Sequence, residues 1–339
     1  MKACYALHPY ISHRRAGQAY RHCLTHEGIT LTRDPGDADV WFWHCEPWVI
    51  PSYVRAFRKY AKRPTVAVSV WETDLLPDAY AKALQHVDCI WTPSHYSAEA
   101  LRQSNIHVEV IPHVVDPPAP TEDASIAMRR RIGWTEECFY FYVVGAYGNR
   151  RKGVAETIAA FSGLFSESEA RMVVKSVHPL PPDLASVPGI VEINGTLSDD
   201  EMAALHNVGD CLVSLHHSEG FGLHLAESMS LGKTVVATAH GGNIEFMTEE
   251  NSLLVPCAIE HLRDGDANWL PQFTSKMRWA YPDHDAARSC LTRAFRDRER
   301  LATLRSRAAL DLRAYSTEAL AARVGNLARA ASGIATSGS

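Results

Sequence analysis

Residues 216–227 read HHSEGFGLHLAE. The apolar run DCLVSL (210–215) leads into this stretch, and a helical pattern over 223–231 leads out of it. A short unbroken apolar run of this kind reads as a strand covered on both faces. A strand that passes through a Gly-Phe-Gly turn into a helix is the unit from which parallel α/β sheets are built. Glu219 then falls in the loop above the strand's carboxyl edge, and Glu227 lies about one turn into the helix. Carboxylates there can accept hydrogen bonds from hydroxyls, and the glycines let backbone N–H groups approach a ligand. In a chain with 39 acidic residues, two glutamates at this spacing are a weak signal alone; the glycine turn between them strengthens it.

The same unit recurs outward in both directions. Strand-like runs occupy 2–7, 40–44, 65–70, 89–93 and 107–111, and again 139–145, 171–177, 190–194, 210–216, 234–238 and 252–255. Helical patterns at 18–26, 53–61, 79–85, 154–165, 199–207 and 223–231 lie between them. The first series ends at Asp116 and is followed by PPAPTEDAS, a polar proline-rich stretch. Two doubly wound domains with a cleft between them are the simplest architecture, and 339 residues suffice for two cores. The expected boundaries are 1–118, a linker at 119–137, a second domain at 138–312, and a C-terminal helix at 313–332 that crosses back to the first. The final GIATSGS is expected to be disordered.

Two further strand-end loops of the second domain carry glycines. VVGAYGNRRKGV (143–154) holds Gly145, Gly148 and Gly153, with Arg150, Arg151 and Lys152 just before a helix. Cations beside a helix N-terminus suit a diphosphate, although a solvated basic turn reads the same way. Neither a Walker loop nor GxGxxG is present. AHGGNIEFM (239–247) places Gly241 and Gly242 before a helical start, with Asn243 as its expected N-cap. The three loops together describe a nucleotide-diphosphate pocket.

GNRRKG, HSEGFGLHLAESMSLGKTVVAT and GGNIEFM, in this order, resemble the second domain of family 4 glycosyltransferases (glycosyl transferases group 1), whose signature is E-x7-E. VWETDLLP, CIWTPSHYSAEAL and VEVIPHVVDP are similar to first-domain segments of that family. The resemblance covers about residues 64–257. It implies a GT-B fold, two Rossmann-like domains of parallel sheet facing a central cleft. It also implies transfer of a hexose from a nucleotide-diphosphate sugar with retention and without an obligatory metal. The acceptor would be a glycan, a lipid-linked sugar or a small molecule, used in polysaccharide biosynthesis. By position, Arg151 and Lys152 match the diphosphate clamp, and Glu219 matches the contact to the sugar hydroxyls. Glu227 matches the contact to the ribose, and Phe221, Gly222 and Leu223 match the turn whose backbone touches sugar and phosphate. Gly148, Arg150, Gly242 and Asn243 complete the expected donor site. No cofactor is expected; the donor itself would carry UDP or GDP. A sugar-nucleotide epimerase and a non-catalytic nucleotide-sugar-binding subunit are the alternatives.

The chain departs from the family's pattern in its first domain. Relatives carry a Gly-Gly loop after the first strand; here Gly17, before a helix expected at 18–26, is its counterpart. Where relatives have a histidine after a middle strand, this chain runs Trp71-Glu72-Thr73-Asp74. Glu72 or Asp74 either acts on the acceptor hydroxyl, or Asp74 caps the next helix and Glu72 is structural. His113 stands where relatives often have asparagine and reads as a loop histidine.

Composition bounds the partners. A net charge of −5 gives no basic character for nucleic acid. No run approaches the ~20 apolar residues of a membrane span, and MKACYALHPYISHRR lacks signal-peptide order. Eight scattered cysteines without C-x-x-C suit reduced thiols in the cytoplasm. Seventeen histidines show no zinc spacing, so no metal site is expected. YVRAFRKYAKR (53–63) carries five basic residues and no acid. It reads as a helix packed on its sheet, or as a basic surface docking peripherally on an anionic membrane. Trp41, Trp43, Trp48 and Trp71 crowd near the predicted cleft, as core packing or as stacking platforms for sugar rings.

Overall fold

The computed structural model describes residues 1–8, 10–266, 272–297, 299 and 301–333. The chain forms two compact units, Met1–Val115 with Ala314–Ser339, and Asp116–Arg313. Each is built on a six-stranded, wholly parallel sheet flanked by helices, as the alternation of apolar runs and helical patterns predicts.

The first sheet contains β1 (Lys2–Leu7), β2 (Thr30–Thr32), β3 (Val40–His44), β4 (Thr65–Val68), β5 (Cys89–Thr92) and β6 (Val108–Val110). They pair in the order β2-β1-β3-β4-β5-β6, so the winding reverses between β1 and β3. β2 escapes a sequence reading because three residues carry no periodicity. Its core joins Val40, Phe42, Val66 and Trp91 to Tyr20, Cys23 and Leu24 of the helix Ile11–His26, and to Leu320 and Val324 of the helix Thr317–Gly333. Residues 334–339, most of the tail expected to be disordered, lie outside the described residues.

The second sheet contains β7 (Phe139–Val144), β8 (Ala170–Ser176), β9 (Ile190–Asn194), β10 (Cys211–Ser214), β11 (Thr234–Thr238) and β12 (Leu253–Val255). Their order is β12-β11-β10-β7-β8-β9, with the reversal between β7 and β10. An antiparallel pair, β13 (Cys257–His261) and β14 (Arg278–Pro282), follows.

The structure departs from three of these expectations. The linker expected at 119–137 contains a helix, Glu122–Ile132, within the second unit. Thr121 caps it by accepting from Ala124 N, Gly133 ends it in the left-handed region, and Ser125, Met128 and Ile132 form its buried stripe. The preceding prolines and the polar surface masked that short 3.6-residue period. The helix expected at 53–61 is Ile50–Phe57. Tyr53 and Phe57 pack against Trp43 and Trp41, while the Arg63 guanidinium donates to Ala38 O and Gly36 O, so 53–63 is not one amphipathic helix. The helix expected from residue 18 begins at Ile11 and runs through Gly17. A Cβ on Gly17 would overlap the Leu7 side chain, so this glycine sets close helix–sheet packing and forms no loop. No described helix is long and apolar enough to cross a membrane.

Candidate active site

In doubly wound sheets, ligands bind beyond the carboxyl ends of the strands where the winding reverses. In the second unit that point lies between β7 and β10, whose following loops hold Arg150–Lys152 and His216–Gly222 respectively. Gly153 lets the two loops meet. Its φ is +61°, and a Cβ there would overlap the Leu215 carbonyl oxygen at the end of β10. The chain therefore passes hard against β10 before entering the helix Val154–Phe161. His217 N donates to Arg151 O at 2.8 Å, and the Arg151 guanidinium donates to Ser218 O at 2.5 Å.

This crossing presents two cations to one carboxylate. Lys152 Nζ lies 2.6 Å from Glu219 Oε1, and the Arg151 guanidinium lies 3.5 Å from Oε2. Arg151 and Glu219 are buried, and the Lys152 side chain is 21% exposed. Burial pushes the Glu219 carboxyl up, but Lys152 and then Arg151 overcome this and hold it well below the usual carboxylate range. The three groups together carry one net positive charge, which suits an anionic ligand.

The loop after β11 closes on the same residue. Gly242 N donates to Glu219 O at 2.6 Å, and a Cβ on Gly242 would overlap the Gly220 carbonyl oxygen. Asn243 is not the expected N-cap; Gly241 holds that position for the 3-10 turn Gly242–Glu245. Buried Asn243 instead donates to Thr238 O at 3.0 Å, and its Oδ1 lies 3.2 Å from His216 Nε2, tying two strand ends together.

Glu227 is buried in the second turn of the helix Leu223–Ser230, which starts from Gly222 in the left-handed region. His206 Nε2 lies 3.9 Å from Glu227 Oε2. His206 Nδ1 lies 3.0 Å from the Tyr142 hydroxyl, which lies 2.8 Å from Ser228 Oγ. Phe221 turns its ring inward onto Phe246, 5.0 Å away. Leu223 is half-buried. Gly148 is exposed, and nothing crowds the place where its Cβ would be. Arg150 is 2.9 Å from Asp266 in a separate ion pair.

The remaining predicted residues lie in the first unit, where Gly17 is helical. Glu72 and Asp74 are half-buried in the bend before the helix Asp78–Leu84, whose N-cap is Pro77, so Asp74 does not cap it. The Glu72 carbonyl accepts from Tyr96 and the Asp74 carbonyl from Gln103. His113 is buried, 3.3 Å from the Tyr20 hydroxyl, and burial with His13 nearby pushes it down to about 3.

Several residues escaped the sequence reading. His217 donates from Nδ1 to Ala280 O at 2.6 Å, lies 3.3 Å from Glu156 through Nε2, and stacks on Trp279 at 4.9 Å. The β13–β14 hairpin thus braces the loop that carries Glu219. The alternation in CAIEH and RWAYP was the available signal. Burial pushes His224, in the first turn after Gly222, down to about 3 against the pull of Glu219, so it is neutral at pH 7. Among the described residues, no group of three or more His, Cys, Asp or Glu is arranged to hold a metal ion.

Residues 139–265 match the family model of Glycosyl transferases group 1. The whole chain superposes on solved glycosyltransferase structures. The fold is GT-B. Sucrose-phosphate synthase (tll1590) from Thermosynechococcus elongatus is 16% identical with a TM-score of 0.68, over 97% of this chain and 98% of that one. HepE of Anabaena, solved with UDP-glucose, is 14% identical with a TM-score of 0.66, over 97% and 100%. WaaG, a glycosyltransferase involved in lipopolysaccharide biosynthesis, is 13% identical with a TM-score of 0.61, over 100% of both chains. Comparison with curated protein sequences gives no significant match.

Proposed function

We propose that this protein is a retaining, metal-independent hexosyltransferase of the family 4 type. It would move a sugar from a UDP- or GDP-sugar to a carbohydrate or lipid-linked acceptor in the cytoplasm. The carrying observation is the cluster of buried Arg151 and Glu219 with half-buried Lys152 at the switch point of the second sheet, where three strand-end loops converge. The match to the group 1 glycosyltransferase model over residues 139–265, and UDP-glucose in the complex of the similarly folded HepE, support the same reading.

In this reading Arg151 and Lys152 hold the diphosphate and stabilise the charge that develops as it leaves. Glu219, kept ionised by those cations, accepts hydrogen bonds from the sugar hydroxyls. Glu227, held beside His206, accepts from the ribose. The N–H groups of the Gly222–Leu223 turn serve the phosphates. The reaction breaks the anomeric carbon–phosphate oxygen bond and forms a bond to the acceptor oxygen on the same face. The acceptor proton passes to the departing phosphate. The first unit binds the acceptor, with Glu72 or Asp74 positioning its hydroxyl.

The test is thermal stabilisation by UDP-, GDP- and ADP-sugars in EDTA, with release of nucleoside diphosphate followed alongside. Stabilisation by one nucleotide family with slow donor hydrolysis is expected. Stabilisation by none of them would refute the proposal.

A further inference from the structure

We propose that the switch point of the first sheet carries a pyranose-binding cradle formed by His8, Tyr10, His13, Glu46 and Trp48, and that it takes the acceptor sugar. The acceptor role rests on the glycosyl-transfer reading above; the cradle itself rests on the first unit alone.

The winding of that sheet reverses between β1 and β3, so their carboxyl ends open the crevice in which such sheets bind ligands. The two strands leave side by side. Leu7 pairs with His44, and His8 N donates to His44 O at 3.0 Å. One chain continues to Tyr10 and His13, the other to Glu46 and Trp48. The His8 ring sits 4.4 Å from Tyr10 and 6.0 Å from Trp48, edge-on to both. His13 lies 6.3 Å from His8 and 6.4 Å from Tyr10, and donates through Nε2 to Glu46 Oε1 at 3.0 Å. His13 in turn packs at 5.4 Å on His44, whose Nδ1 is 3.0 Å from the Tyr5 hydroxyl. The polar floor is therefore fixed by the fold.

The walls are open. Tyr10 is 53% exposed and Trp48 is 47% exposed, whereas Trp41, Trp43 and Trp71 of the same unit are buried. Two large exposed rings beside a carboxylate and imidazoles match a sugar, which offers an apolar C–H face to aromatic rings and hydroxyl donors to a carboxylate. A purely apolar partner would cover the 26% exposed Glu46 side chain without offering it a donor beyond His13.

Calorimetric or saturation-transfer binding to the full-length protein tests this. The probes are methyl pyranosides of glucose, galactose, mannose and N-acetylglucosamine, with and without UDP or GDP. At least one glycoside should bind. Tyr10→Ala with Trp48→Ala should weaken it about tenfold or more. Trp48→Phe should retain most of the affinity, and Glu46→Gln should lose part of it. Nucleotide-induced thermal stabilisation should be unchanged in every variant, which also shows that each is folded. Unaltered glycoside binding by the double variant, or no glycoside binding by the wild type, would overturn the cradle. A wild type that binds a glycoside but no nucleotide would strike the donor site and leave the cradle standing.

Discussion

Replacing Lys152 with methionine removes a charge while keeping the methylene stem that lies against Gly145. The ammonium is 2.6 Å from Glu219 Oε1, and at an effective dielectric of about 20 such a pair attracts by ~6 kcal/mol. Desolvation of both ions offsets much of this, Lys152 is partly solvated, and Arg151 at 3.5 Å still serves the carboxylate. The expected net loss is about 1–3 kcal/mol, or roughly 3–10 °C in the second unit's melting temperature. The pH dependence follows from the sign of the Glu219 shift. Its folded-state carboxyl is held below the usual range, so its stabilisation is complete above the unfolded value of about 4.3 and is lost as pH falls toward the folded one. The Lys152→Met deficit should be full at pH 7 and shrink in acid. Thermal melts from pH 8 down to about 2 span this window and read it directly. Turnover at pH 7 should fall about 100-fold or more, as when one preorganised charge partner of a transition state is lost. A deficit that grows on acidification, or wild-type melting at pH 7, would refute the electrostatic account; full turnover would refute the role in the donor site.

Glu219→Gln should leave nucleoside diphosphate binding intact or tighter, because it removes a negative charge beside the cations, while sugar transfer collapses; calorimetry and product release separate the two. Gly153→Ala should cost about 3 kcal/mol or more, since φ is +61° and the new methyl meets the Leu215 carbonyl, and wild-type melting would contradict this. Tyr142→Phe should cost about 1–2 kcal/mol by removing the hydroxyl between His206 and Ser228, and should weaken donor binding more than it slows turnover at saturating donor if His206 orients Glu227.

The parts of the fold that depend on neighbours along the chain were legible before folding. Unbroken runs such as FYFYVV and DCLVSL read as covered strands, and the turns after them placed Arg151, Lys152 and Glu219 at strand ends. The sequence failed where a local signal has two meanings. Gly17 reads as a loop until the helix is seen pressed on Leu7, and Asn243 reads as a cap until its amide is found reaching Thr238. The strand orders, and with them both switch points, emerge only in the folded sheets. Lys152 and Glu219 meet across a separation of 67 residues, and Trp48 is exposed where Trp41 is buried, although the sequence set both near the expected cleft. The physical reason is range. Periodicity and turn chemistry act over a few residues and leave their mark in the sequence, whereas hydrogen bonding between distant strands and pairing of distant charges depend on which surfaces the folded chain brings together.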